Sequence, residues 1–178
     1  MKYQAMKYQV IAGALVFIAA GMSVSAGDKK DAQAATDSKI TLTEAIHTAE
    51  KAGMGKAVDA EVEGAKGGHA RYTVEVLSSD GKKLTEYTVN ANTGKVEKTS
   101  NEPLEKLVTR VKPDDLQSAQ TTLTAAIREA EQQTGGQVID AETGASNGSL
   151  HYELKVATAD GKTDKVKVDG TTGKIATK

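Results

Sequence analysis

Thr41-Leu42-Thr43-Glu44-Ala45-Ile46 recurs later in the chain as Thr122-Leu123-Thr124-Ala125-Ala126-Ile127. Asp59-Ala60-Glu61 returns at the same offset as Asp140-Ala141-Glu142. Tyr72-Thr73-Val74-Glu75-Val76 answers to Tyr152-Glu153-Leu154-Lys155-Val156, and Asp80-Gly81-Lys82 to Asp160-Gly161-Lys162, both at an offset one position shorter. Asn92-Thr93-Gly94-Lys95-Val96 answers to Thr171-Thr172-Gly173-Lys174-Ile175, at an offset shorter by one again. Blocks that keep their order while the offset drifts a single position at a time describe a duplication whose deletions fell in loops, where a change of length costs little.

Each block reads as the same unit. Thr41 is placed to N-cap a helix, Glu44 three residues on completes a capping box, and Leu42, Ala45, Ile46 and Ala49 make one apolar stripe that Gly53 and Gly55 stop. Thr122 caps the second helix, whose stripe is Leu123, Ala126, Ile127 and Ala130 and whose end is Gly135-Gly136; the reciprocal acid is missing because position 125 is Ala. The period then changes to two. Val58, Ala60 and Val62, then Tyr72, Val74 and Val76, then Tyr87 and Val89 are inward-facing strand residues, matched by Ile139, Ala141 and Thr143, then Tyr152, Leu154 and Val156, then Val166 and Val168. Asp80-Gly81 and Asp160-Gly161 fit tight hairpins, and Thr93-Gly94-Lys95 and Thr172-Gly173-Lys174 turn the chain into a short closing strand at Val96 or Ile175.

The expected fold class is therefore α+β: two repeated modules, each one helix packed on a small antiparallel sheet of three to four strands. Tyr72 and Tyr152 are their core anchors, and the far face, with Thr73, Glu75, Thr88 and Lys155, is expected to be wet. The modules span 39–99 and 121–178. Between them, 100–120 reads as a linker with a short helix, since Leu104, Leu107, Val108 and Val111 have helical spacing and Pro113 with Asp114-Asp115 breaks or restarts it.

The first residues obey different rules. Lys2 and Lys7 precede an apolar run from Val10 to Met22, and Val24 and Ala26 supply small residues at −3 and −1, so 1–26 reads as a signal peptide cleaved after Ala26. The membrane is then met only through that segment, before cleavage, and the mature chain is periplasmic or secreted. Residues 27–38, rich in Ala, Asp, Lys and Gln, read as a flexible tether.

Composition narrows the function classes. With no cysteine, disulfides, thiol catalysis and a lipid-modified cysteine all drop out. Taking Lys2 and Lys7 off with the signal leaves 21 basic against 24 acidic side chains, a formal charge of −3, which argues against nucleic acid. The only aromatic residues beyond position 26 are Tyr72, Tyr87 and Tyr152, too few for an aromatic-lined ligand pocket.

The helix start Thr-Leu-Thr-x-Ala-Ile, the strand Tyr-x-Val-x-Val, the Asp-Gly turn and the closing Thr-Gly-Lys-Val together resemble the PepSY domain, at about Lys39 to Thr99 and again at Thr121 to Lys178. The resemblance implies a small α+β module found in propeptides of thermolysin-type secreted metallopeptidases and in stand-alone exported bacterial proteins, with a role in restraining peptidases or assisting their folding. No His-Glu-x-x-His motif accompanies it here, so any target acts in trans. The family brings no catalytic residues.

The residues themselves supply no reaction centre. His47, His69 and His151 have no ligand spacing, and the two copies do not share them: His69 aligns with Ser149 and His151 with Arg71. Gly161-Lys162-Thr163 ends like a phosphate loop, yet the glycine required five residues earlier is Val156. No Gly-x-Ser-x-Gly elbow is present, and Asp114-Asp115 and Asp59, Glu61 and Glu63 read as solvated acids. No enzyme, catalytic residue, metal ligand or cofactor is expected. The function expected is non-catalytic binding of a protein or peptide partner in the cell envelope, through a sheet edge or face, with modulation of a peptidase in trans as its sharpest form. The alternative is a periplasmic small-ligand or divalent-cation-binding protein.

Overall fold

A computed structural model describes residues 25–64 and 69–176, the side chains of 117 and 118 excepted; the expected signal sequence up to residue 24 lies outside the described residues. In chain order the elements are α1 (Ala26–Asp37), α2 (Leu42–Gly53), β1 (Gly55–Glu63), β2 (Arg71–Ser78), β3 (Leu84–Asn90), β4 (Val96–Glu102), α3 (Leu104–Val108), α4 (Pro113–Ser118), α5 (Leu123–Thr134), β5 (Gln137–Ser146), β6 (Ser149–Ala157) and β7 (Thr163–Asp169). The chain is α+β, with one antiparallel sheet of seven strands in the order β4-β3-β2-β1-β5-β6-β7.

That single sheet departs from the expectation of two small ones. β1 and β5, each the edge of its own half, pair through Asp59↔Glu142, Ala60↔Ala141 and Glu61↔Asp140. Joining them satisfies backbone groups that two separate edges would leave to solvent. The pairing is short because both strands splay beyond it, and other parts of the chain fill each mouth. At one, Asp31 of α1 accepts from the Gly64 N–H at 2.9 Å and Gln137 Nε2 donates to the Ala35 carbonyl at 3.2 Å. At the other, Ala145 N–H donates to the Arg110 carbonyl at 3.1 Å and Lys56 Nζ to the Leu116 carbonyl at 3.3 Å.

α1 is thus a correction to the tether expected at 27–38. Ser25 caps it, accepting from Asp28 N–H at 3.1 Å while the Asp28 carboxylate accepts from Ser25 N–H at 3.4 Å, and Ala34 and Ala35 are buried. Alanine-rich sequence is helix-forming once it has a surface to pack on, and α1 lies against β1 and β5.

α2 and α5 cover the Tyr72 face of the sheet and bury Leu42, Ala45, Ile46 and Ala49, and Leu123, Ala126, Ile127 and Ala130. Both capping residues act as expected: Thr41 accepts from Glu44 N–H at 3.2 Å with the reciprocal Glu44 bond in place, and Thr122 accepts from Ala125 N–H at 3.2 Å. The helix ends differ. Gly135 ends α5 with φ 69°, but the left-handed residue ending α2 is Met54 at φ 48°. Gly53 and Gly55 answer to close approach instead: a Cβ on Gly53 would lie 2.9 Å from Val76 Cγ1, and one on Gly55 2.0 Å from the Leu77 carbonyl oxygen.

Each first strand of a half carries a bulge, at Ala57/Asp59 and at Val138/Asp140. Glu50 of α2 accepts from Ala57 N–H at 3.0 Å, and Glu131, its counterpart in α5, accepts from Val138 N–H at 3.1 Å. The helix carboxylate thereby satisfies a donor next to the bulge and ties helix to strand.

The linker is also more structured than expected. β4 runs to Glu102, past the expected domain boundary at 99, and α3 and α4 replace the single helix. Leu107 and Val111 are buried, whereas Val108 is 45 % exposed. In the second half, among the described residues, the closing segment meets β7 through a bridge between Val168 and Ile175, with Asp169 N–H donating to the Lys174 carbonyl and Ala176 N–H to the Lys167 carbonyl.

Candidate functional site

On the face away from Tyr72, strand register sets five carboxylates in one row. Glu86 lies opposite Glu75, Glu75 opposite Asp59, Asp59 opposite Glu142, and Glu142 opposite Glu153. Like charges directly opposite one another across strands repel, so the row needs donors. At its ends Ser100 donates to Glu86 at 3.1 Å and Lys167 pairs with Glu153 at 3.0 Å. In the middle the linker supplies them. Lys106 of α3 donates to Glu75, and Arg110, one turn later, donates to Glu142 and reaches Asp59 at 3.4 Å and Glu75 at 3.8 Å.

This corrects the expectation of a wet far face. Glu75 is only 4 % exposed, and Leu77 and Leu84, which pair on the same face, are buried. Burial, with the charge of Glu75 added, pushes the Asp59 carboxyl up to about 7, against the pull of Arg110. Burial and the neighbouring Asp140 raise Glu61 as well. Lys155 is shared by Asp28 of α1 at 3.2 Å and Asp140 at 3.4 Å, so α1 contributes to the same face.

The histidines remain apart. His47 is on α2 beside Glu50 at 3.6 Å, His69 pairs with Glu97 at 2.9 Å, and His151 lies 3.2 Å from Glu153. Glu97 binds Asn90, His69 and Arg71, and these hydrogen bonds hold its carboxyl below the usual range. Asp114 and Asp115 lie in the first turn of α4, and Lys162 closes the β6–β7 turn by pairing with Asp160 at 2.7 Å. Among the described residues no group of His, Cys, Asp or Glu is arranged to hold a metal ion. No helix there is long and apolar enough to cross a membrane.

Tyr72 and Tyr152 are buried beneath the helices, as core anchors should be. A cleft of about 240 Å³ opens beside Tyr72, between α1, the start of α2 and the end of α5, and includes Val62, Glu131 and Gln137. Sequence reasoning missed Lys106 and Arg110. Their spacing of one helical turn, in a stretch otherwise read as a spacer, was the available signal.

Two exposed edges complete the surface. Among the described residues β4 has a strand neighbour only in β3, and β7 only in β6 apart from the bridge to Ile175.

No curated protein matches the chain. A solved structure from Clostridium difficile 630, described as a "putative lipoprotein", is similar to it with a TM-score of 0.47 and 18% identity, over 83% of this chain and 97% of that one. The model of the family described as the peptidase propeptide and YPEB domain matches residues 39–99 and again 122–177, which is more than half of the sequence, and on that ground the chain belongs to the PepSY family.

Proposed function

We propose that this chain is an exported, non-catalytic binding protein made of two copies of one module, and that it engages a polypeptide partner in the cell envelope. The observation that carries the reading is the match of a propeptide-type family to both halves, in a chain whose sheet, among the described residues, ends in strands β4 and β7 with one strand neighbour each. A propeptide works by contacting another stretch of polypeptide, and an open edge offers backbone groups to an extended one. The signal at 1–26 delivers the chain to the periplasm or medium; cleavage after Ala26 takes away the Ser25 cap and leaves 27–37 of α1 held to the sheet by Asp28 on Lys155 and Asp31 on Gly64, and 39–99 and 121–178 are the two copies. Because the copies share one sheet, their outer edges are held roughly 29 Å apart, six spacings of about 4.8 Å. A partner using both gains avidity without a flexible connector.

The sharper form of the reading is restraint of a peptidase in trans. Titrating a secreted thermolysin-type metallopeptidase with the full chain, with hydrolysis of a small peptide as the readout, is expected to give a saturable fall in rate while the chain stays intact. Cleavage of the chain as an ordinary substrate, with no effect on the rate, would remove the peptidase from the proposal. The competing reading, a divalent-cation site on the carboxylate row, is disfavoured because each member of the row already has a lysine, arginine or serine donor.

A further inference from the structure

The segments that lead into the two copies are equivalent to each other. α1 leads into the first copy, and the linker stretch 106–116 leads into the second. Gly64 N–H donates to Asp31 of α1, and Ala145 N–H, at the corresponding place in the repeat, donates to the Arg110 carbonyl of the linker. Gln137 Nε2 donates to the Ala35 carbonyl, and Lys56 Nζ, at its corresponding place, to the Leu116 carbonyl. Glu75 takes Lys106 from the linker, and Lys155, which corresponds to Glu75, takes Asp28 from α1 at 3.2 Å. The third contact is the same clasp with its charges reversed.

Each lead segment crosses from its own copy to the other. α1 holds the end of β1 through Gly64, then β5 and β6 through Gln137 and Lys155. The linker holds β5 through Ala145, then β1 and β2 through Lys56 and Glu75. What they bridge is weak by itself. On the outer face both β1–β5 pairs set acid against acid, Asp59 opposite Glu142 and Glu61 opposite Asp140, and between them Ala60 meets only Ala141. Arg110 of the linker lies across the first pair, donating to Glu142 and 3.4 Å from Asp59, and Lys155 stands beside the second, 3.4 Å from Asp140. The two straps are unequal. The linker buries Leu107, Val111 and Leu116, whereas α1 buries Ala34 and Ala35, so α1 has less apolar area to give up on leaving.

We propose that α1 is a releasable strap: docked, it locks the two copies into one sheet at the β1–β5 seam, and lifted from Lys155 and Gly64 it lets that seam open while each copy keeps its own strands. The linker is the permanent strap at the other mouth. Reversed charge keeps the two from exchanging places, because Asp28 would meet Glu75 at the linker's site and Lys106 would meet Lys155 at that of α1. The inference does not depend on the binding reading above; together with it, strap release becomes a control on any partner that spans both copies.

Hydrogen exchange of the exported chain, read by mass spectrometry, tests the strap. Asp28→Lys sets a cation against Lys155, and exchange at 27–37, 59–61 and 140–142 is expected to quicken about tenfold or more, while β3 and β7 exchange as before and report that the variant is folded. Lys155→Asp alone should quicken the same stretches. Asp28→Lys combined with Lys155→Asp gives the clasp the polarity that Lys106 and Glu75 have, and should return exchange at the seam to its original rate. Unchanged exchange at 59–61 and 140–142 in Asp28→Lys, an equal quickening in β3 and β7, or no recovery in the double variant would each overturn the strap.

Discussion

The hydroxyl of Tyr72 donates to the carbonyl of Ile40 at 2.6 Å, the residue immediately before the Thr41 that caps α2. Tyr152 makes the same bond to Thr121, immediately before the Thr122 cap of α5. In both halves a strand residue under the helix therefore fixes where the helix begins. Burial pushes the Tyr152 hydroxyl up to about 12 and raises Tyr72 too, so both stay protonated donors. Tyr72→Phe and Tyr152→Phe keep the ring and leave a carbonyl without its donor. Each should lower unfolding stability by about 1 kcal/mol in urea titrations, and the double change by about the sum because the sites are apart. A loss in one half only would show that the two bonds are not equivalent.

The carboxylate row makes stability depend on pH in a direction opposite to that of an ordinary ion pair. With its carboxyl raised from 3.8 to about 7, folded Asp59 holds a proton that the unfolded chain has released between those values. Its contribution therefore falls as pH climbs from about 4 to about 7 and is level above that. Asp59→Asn should stabilise the fold by about 2 kcal/mol at pH 8, with the gain shrinking towards zero near pH 4. Arg110→Met leaves the row without its guanidinium and should cost about 3 kcal/mol at pH 8 and clearly less at pH 5. Thermal melts of both variants at three pH values check the sign.

Met54 holds a left-handed conformation that its counterpart in the second half assigns to Gly135, and its side chain is 79 % exposed. Little packing is lost by removing it, while the backbone strain of a side chain at positive φ is relieved. Met54→Gly is expected to raise stability by about 0.5–1 kcal/mol, read as a shift of the urea midpoint. A loss of stability would mean that the side chain makes a contact that its exposure does not reveal.

What could be read from the sequence was what neighbouring residues decide. Thr41 with Glu44, the alternation Tyr72-Val74-Val76 and the Asp-Gly hairpins act over a few residues, and the helices and strands follow them. The pairing of β1 with β5 could not be read, because Asp59 and Glu142 lie in different copies of the repeat and nothing local favours one edge partner over another. α1 was hidden for another reason: its capping Ser25 belongs to the stretch that reads as a cleavage signal, and Ala34 and Ala35 look unremarkable until the splayed strands give them a surface. Thr73 and Glu75 do mark the far face, but alternation says only which way a side chain points. Whether Lys106 and Arg110 come back to cover it depends on the path of the linker.

That this chain acts by holding another polypeptide is tested most directly by capturing envelope polypeptides on the immobilised full chain, purifying what is recovered, and measuring its equilibrium binding to the chain in isolation. The expected result is saturable binding that a metal chelator leaves unchanged and that ends with both chains intact. Recovery no greater than on an unrelated protein, together with a melting temperature that rises and saturates with added divalent cation, would contradict that role.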